Sequence, residues 1–127
     1  MREEVSNWWK QAQKDLESAS KNLEIKEYYI TAFLSQQATE KALKALYIHK
    51  LKESSGQTHS LIFLGKSVEI PDEFLSGLRK LSPDFVITRY PDVAHGVPYE
   101  LYDEEIANER LNIAKRVIKW VQIELES

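Results

Sequence analysis

The stretch from Ala32 to Tyr47, AFLSQQATEKALKALY, constrains the fold more than any other part of this chain. It has no Gly, no Pro and few β-branched residues, so local propensity alone makes it helix. At about 100° per residue, Ala32, Leu34, Ala38, Ala42, Leu43, Ala45 and Leu46 cover more than half of its circumference, with the small Ser35 and Thr39 among them. Only Gln37, Glu40, Lys41 and Lys44 make a clearly polar strip, read as solvated, with Gln36 at its margin. A surface helix buries one narrow stripe. A helix this apolar is packed on several sides, and its alanines let neighbouring backbones come close. The expected architecture is an all-α bundle with this helix at its centre.

The flanking segments agree. Residues 3 to 23 carry Val5, Trp9, Ala12, Leu16, Ala19 and Leu23 at alternating spacings of three and four, the mark of an amphipathic helix with one stripe. Trp8 and Trp9 are adjacent and cannot both enter the core, so one lies at its margin. The chain turns near Lys26 and Glu27 into the central helix, which runs to about Leu51 or Lys52. Gly56 then marks a turn. Thr58 or Ser60 caps a short helix through Leu61, Phe63 and Leu64 to about Lys66. Pro71-Asp72-Glu73 opens a second short helix, which Ser82-Pro83 stops.

Asp103-Glu104-Glu105 opens the last helix, with acids at the positive end of its dipole. Its stripe is Ala107, Leu111, Ala114, Ile118, Val121 and Leu125. A second stripe of Ile106, Ile113, Val117 and Trp120 requires another neighbour, either a helix of this chain or a second subunit. The prediction is one domain over 1–127: an antiparallel up-down bundle of three long and two short helices.

Composition narrows the function. A formal charge of −3 and a pI near 5.7 exclude a globally basic nucleic-acid binder but leave room for a local basic patch. Without cysteine there is no disulfide, thiolate metal site or Cys nucleophile. The three histidines, His49, His59 and His95, have no metal-site spacing, so neither metal nor cofactor is expected. The carboxylates show no paired arrangement of the glycosidase or protease kind. The start, MREEVSNWW, lacks the apolar region of a signal peptide, and no apolar run nears the ~20 residues of a membrane span. A cytoplasmic protein without a membrane partner is the expectation.

Residues 84 to 102 form the longest segment without a helical pattern, interrupted by Pro91, Gly96 and Pro98. Long loops in small domains are often functional. This one holds Arg89, Tyr90, Asp92, His95, Tyr99 and Tyr102, with Phe85, Val86 and Ile87 expected against the bundle.

These pieces, in order, resemble the HEPN family of small all-α domains. The resemblance rests on Trp9, Ala12, Asp15-Leu16 and Ala19, then Ala32-Phe33, Gln36-Gln37-Ala38 and Glu40 to Ala45. His59-Ser60-Leu61 and Leu64 follow, then Arg89-Tyr90-Pro91-Asp92 and Pro98-Tyr99-Glu100, and the last amphipathic helix. It implies a four- or five-helix bundle, usually a homodimer, often encoded beside a minimal nucleotidyltransferase and acting with it. Some members are RNA-cleaving toxins of toxin–antitoxin pairs. Their motif is an Arg, four to six residues, then a His, with the two copies facing each other across a dimer. Others bind nucleotides or are non-catalytic.

Arg89 and His95 fit that spacing, with five residues between them. In a symmetric dimer they would supply the acid, base and cation of metal-independent RNA cleavage. Pro91 and Gly96 bend the segment, whereas the motif typically sits on a helix. His95 also reads as a solvated loop histidine, and Arg89 as a tie to Asp92, Glu100 or a helix C-terminus. Phosphate or nucleotide contacts are assigned to Arg89, Tyr90, Lys41, Lys44, His59 and Tyr99. Arg89 would act as a bidentate clamp, the tyrosines as base platforms, and Lys41 and Lys44 as the opposite wall. Three functions follow in order: a dimeric nucleotide- or RNA-binding module working with a nucleotidyltransferase, an endoribonuclease toxin using Arg89 and His95, and a helical adaptor.

Overall fold

The computed structural model describes all residues 1–127, and three long helices make its frame: α1 (Glu3–Glu24), α2 (Tyr28–Leu51) and α7 (Glu104–Glu126). Between α2 and α7 lie α3 (Leu61–Ser67), α4 (Leu75–Leu81, entered through a 3₁₀ turn at Asp72–Phe74), α5 (Asp84–Ile87) and α6 (Pro91–Ala94), with a 3₁₀ turn at Pro98–Leu101 before α7. The all-α bundle around the central helix is what the chain forms. No helix is long and apolar enough to cross a membrane.

The turn Ile25–Glu27 sends α2 back along α1. Thr31 Oγ1 donates to the Ala19 carbonyl at 3.1 Å, Lys41 pairs with Asp15, and the Lys44 ammonium lies over Trp8, so the pairings run in opposite chain directions. The long connection after α2 carries the chain back before α7 begins. As a result α7 runs parallel to α2: Lys50 and Glu124 meet at their C-terminal ends at 2.8 Å, and Tyr99, just before α7, meets Tyr29 at the start of α2. Ala12 and Ala19 of α1, Ala38, Ala42 and Ala45 of α2, and Ala107 and Ala114 of α7 are fully buried, which allows the backbones their close approach. Leu43 and Leu46 fill the centre, each worth about 2 kcal/mol of burial. The first stripe of α7 is buried throughout. Its second neighbour belongs to the same chain: α4 presses so close that a Cβ on Gly77 would stand 2.8 Å from Ile113 Cγ2.

The caps follow local chemistry. Ser60 Oγ accepts from the Phe63 amide and Asp103 Oδ1 from the Ile106 amide. Gly56 takes the left-handed conformation expected of it at φ +75°, and Lys52, which closes α2, also takes it.

Two expectations are corrected. The polar strip of α2 is not solvated: Gln36, Glu40 and Lys44 are buried and Lys41 is half-buried, because Trp8 of α1 and the segments around His59 and Phe85 cover it. Residues 84–102 are not an irregular loop either. Pro91 and Pro98 stand in the first turn of their elements, where the missing N–H costs nothing, so prolines that read as breakers act as starters. Ser82 keeps helical angles although Pro83 follows, and the chain passes from α4 almost directly into α5.

Candidate functional site

Tyr29, Phe33, Gln36 and Glu40 recur at spacings of four, three and four, and so share one face of α2. The returning connection lays its own side chains along this face in reverse order. His59 reaches Glu40, Arg89 leans on Phe33, and Tyr99 meets Tyr29.

At the centre Glu40 is buried and accepts three hydrogen bonds. Gln36 Nε2 donates at 3.2 Å, Lys44 Nζ at 3.1 Å and His59 Nδ1 at 3.1 Å. A carboxylate only accepts, so the proton on His59 sits on Nδ1, and Nε2 is the pole turned away from Glu40. Half of the His59 side chain stays exposed. The cost of burying Glu40 is met by this full set of donors.

His59 stacks on Phe85, with ring centroids 4.1 Å apart and planes at 23°. Arg89 packs on the same ring, its Cζ 4.4 Å from the Phe85 centroid, 5.1 Å from Tyr90 and 5.3 Å from Phe33. Its Nε donates to the Phe85 carbonyl at 2.7 Å, the tie to a helix C-terminus expected as one of its roles. The Nη groups make no hydrogen bond or ion pair within the chain. Three rings and one carbonyl therefore hold the guanidinium while its donor edge faces out, the geometry of a clamp for a phosphate or carboxylate.

Phe85 is itself anchored. Its neighbour Asp84 is buried at 2% exposure and accepts from Tyr102 Oη at 2.6 Å and Arg110 Nε at 2.7 Å. Burial pushes the Asp84 carboxyl above its ordinary range, against the opposing pull of the Tyr102 hydrogen bond and the Arg110 charge. The Tyr102 hydroxyl is pushed up by burial first and by Asp84 second. This cluster ties α5 and the turn before α7 to α7.

Of the residues singled out in the sequence, the structure thus gathers Arg89, Tyr90 and His59, with Tyr99 farther along the same strip. It turns Lys41 and Lys44 elsewhere. Lys41 Nζ is 2.5 Å from Asp15 Oδ2, and Asp15 also accepts from Gln11 at 2.9 Å. Lys44, only 5% exposed, is committed to Glu40. His95 closes α6 in the left-handed conformation at φ 56°, exposed, and its side chain has no hydrogen bond or ion pair. Arg89 and His95 straddle the single turn of α6 rather than sharing a helix face. His49 is half-buried, and burial first, then Lys52, holds its imidazole below the usual range. Sequence reasoning missed Phe33 and Phe85 as ring supports and Glu40 as the orienting carboxylate. The i, i+4 spacing of Glu40 and Lys44 was the only local signal.

The family model of the HEPN domain matches residues 5–124. Among solved structures, TT1696 from Thermus thermophilus is 28% identical, with a TM-score of 0.89 over 98% of this chain and 100% of that one. ST0689, described as an archaeal HEPN homologue, is 36% identical, with a TM-score of 0.83 over 98% of this chain and 99% of that one. No curated protein sequence matches the chain.

Proposed function

The chain belongs to the HEPN family, and from that premise we propose that it is a nucleotide-binding module, dimeric and acting beside a minimal nucleotidyltransferase. The observation that carries this reading is the Arg89 guanidinium, held by Phe33, Phe85 and Tyr90 with its Nη edge free, beside the outward pole of His59. A phosphate suits that edge, and the half-exposed Tyr90 ring beside it suits a base. Lys41 and Lys44 take no part, since their ammonium groups are paired inside the bundle. The ribonuclease reading draws less support, because Arg89 precedes α6 and His95 closes it in the left-handed conformation, so no shared helix face fixes the pair.

Calorimetric titration with ATP tests the site. Arg89→Ala is expected to weaken binding about tenfold or more, which is about 1.4 kcal/mol. A wild-type protein that binds no ATP, or an Arg89→Ala variant that binds it equally well, would sink the reading.

The dimer is supported by the outward side of α7. An open groove of about 510 Å³ lies between α1 and α7, walled by Trp9, Leu16 and Ile118, and beside the neighbouring Trp120 the Ile123 side chain is exposed. Ile123→Glu, at an exposed position, should shift sedimentation toward monomer more than Lys10→Glu does. Equal effects would remove this face as the interface. The nucleotidyltransferase partnership rests on the family alone, and co-purification with such a protein encoded beside this one tests it.

A further inference from the structure

We propose that the face built by α6 and the 3₁₀ turn before α7 is a docking surface for a basic amphipathic helix of a protein partner. Val93, Val97 and Leu101 take its apolar anchors, and Asp92 and Glu100 take its lysines or arginines. The face borders the Arg89 site and is independent of what that site binds.

Half of the large apolar side chains that the chain leaves exposed fall within residues 90–101. Val93, Val97 and Leu101 are each between 44% and 47% exposed. They belong to one surface because the two turns fold against each other. Leu101 Cδ2 stands 3.8 Å from where a Cβ on Gly96 would lie, and the Gly96 amide donates to the Pro91 carbonyl at 3.3 Å. The surface is held from behind: Pro98 is buried, and Tyr102, next to Leu101, is fixed to Asp84 through its hydroxyl at 2.6 Å. A contiguous apolar face rimmed by charge, on turns this firmly placed, marks an interaction site rather than stray exposure.

Charge selects the occupant. Residues 90–105 hold five carboxylates and no Lys or Arg. Asp103, Glu104 and Glu105 serve the start of α7, whereas Asp92 and Glu100 are exposed and make no ion pair within the chain. These two acids repel a nucleic-acid backbone and an anionic lipid surface. A second copy meeting the same face about a two-fold axis would set Asp92 and Glu100 against their own counterparts. A helix with aliphatic side chains at spacings of three and four, flanked by Lys or Arg, satisfies both halves of the face. Its apolar anchors cover Val93, Val97 and Leu101, and its cations reach the free carboxylates.

The test titrates three labelled helical peptides of about 18 residues, or five turns, by fluorescence anisotropy. One carries leucines on one face and lysines on the other, one has glutamate in place of lysine, and one has serine in place of leucine. The wild type is expected to bind the leucine–lysine peptide about tenfold or more tighter than either of the others. Val97→Ser with Leu101→Ser should weaken that binding about tenfold, and Asp92→Asn with Glu100→Gln should weaken it and flatten its dependence on salt. Leu51→Ser, and Glu53→Gln with Glu73→Gln, make the same kinds of change at exposed positions elsewhere and should leave it as in wild type. Thermal melting of both patch variants separates loss of the face from loss of the fold. Equal binding of the three peptides, or control variants that weaken binding as much as the patch variants, overturns the docking surface. So does a fall in dimer content of the Val97→Ser, Leu101→Ser variant in sedimentation, which gives the face to a second copy. Hexaadenylate binding that the same variant abolishes also overturns it, since the face then belongs to nucleic acid. ATP binding at Arg89 is read separately and stands or falls on its own.

Discussion

Glu40 and Asp84 are both buried carboxylates, and the protein satisfies them in different ways. Glu40 draws two of its three donors, Gln36 and Lys44, from its own helix, and only His59 comes from elsewhere in the chain. Asp84 draws both of its side-chain donors from distant residues, Tyr102 and Arg110. The Glu40 centre is open on one side, because His59 is half exposed and carries a ring nitrogen that Glu40 does not use. The Asp84 centre is closed: every group that touches the carboxylate is spent on holding α5 and the turn before α7 to α7. The difference separates two uses of buried charge. An intrahelical pair with one half-exposed outside partner can orient a ligand-facing group. A pair built across the fold sets the position of a segment. Phe85 joins them, adjacent to Asp84 in the chain and stacked against His59 in space.

Removing one donor from each centre is the sharpest way to break this contrast. Arg110→Ala leaves the buried Asp84 with Tyr102 alone and should cost about 3 kcal/mol in urea unfolding at neutral pH. The sign of its pH dependence follows from burial. Asp84 already titrates above its ordinary value of 3.8, so its contribution to stability is fully present below that value and is lost as pH rises through the raised folded value. Loss of Arg110 raises the folded value further. The deficit of the variant should therefore shrink toward acid pH, and a deficit that grows toward acid would contradict the closed-centre account.

Lys44→Ala is the smaller effect. Glu40 keeps Gln36 and His59 as donors, and about 1–2 kcal/mol is expected, part of it from the lost contact with Trp8. If Lys44→Ala costs as much as Arg110→Ala, the redundancy of donors around Glu40 is not what stabilises it.

The frame of the fold was legible along the chain. The alternating stripes of the first and last long helices, the apolar circumference of Ala32–Tyr47, the cap at Ser60, one of two candidates, the opening of the last helix at Asp103-Glu104-Glu105 and the turn at Gly56 all appear where the residues indicated. Arg89, Tyr90 and His59 were recognisable as site candidates by residue type, but their common support on Phe85 was not. Prolines misled at 91 and 98, because a proline ends a helix or begins one depending on what the following residues pack against. The lysines misled for a related reason. Lys41 and Lys44 look solvated on a helical wheel, and only the arrival of Asp15 from α1 and the covering of Glu40 turn them inward.

By itself, then, the sequence determined which long segments are helices, where several of them start and stop, and which of their faces are apolar. Each of those is settled by interactions between residues a few positions apart. The tertiary structure decided which polar groups meet. His59 reaches Glu40 across 19 residues and Arg110 reaches Asp84 across 26. Contacts at that separation depend on the path of the whole connection between α2 and α7, because a buried charge takes whichever donor the packed backbone delivers to it, and no local pattern encodes that delivery.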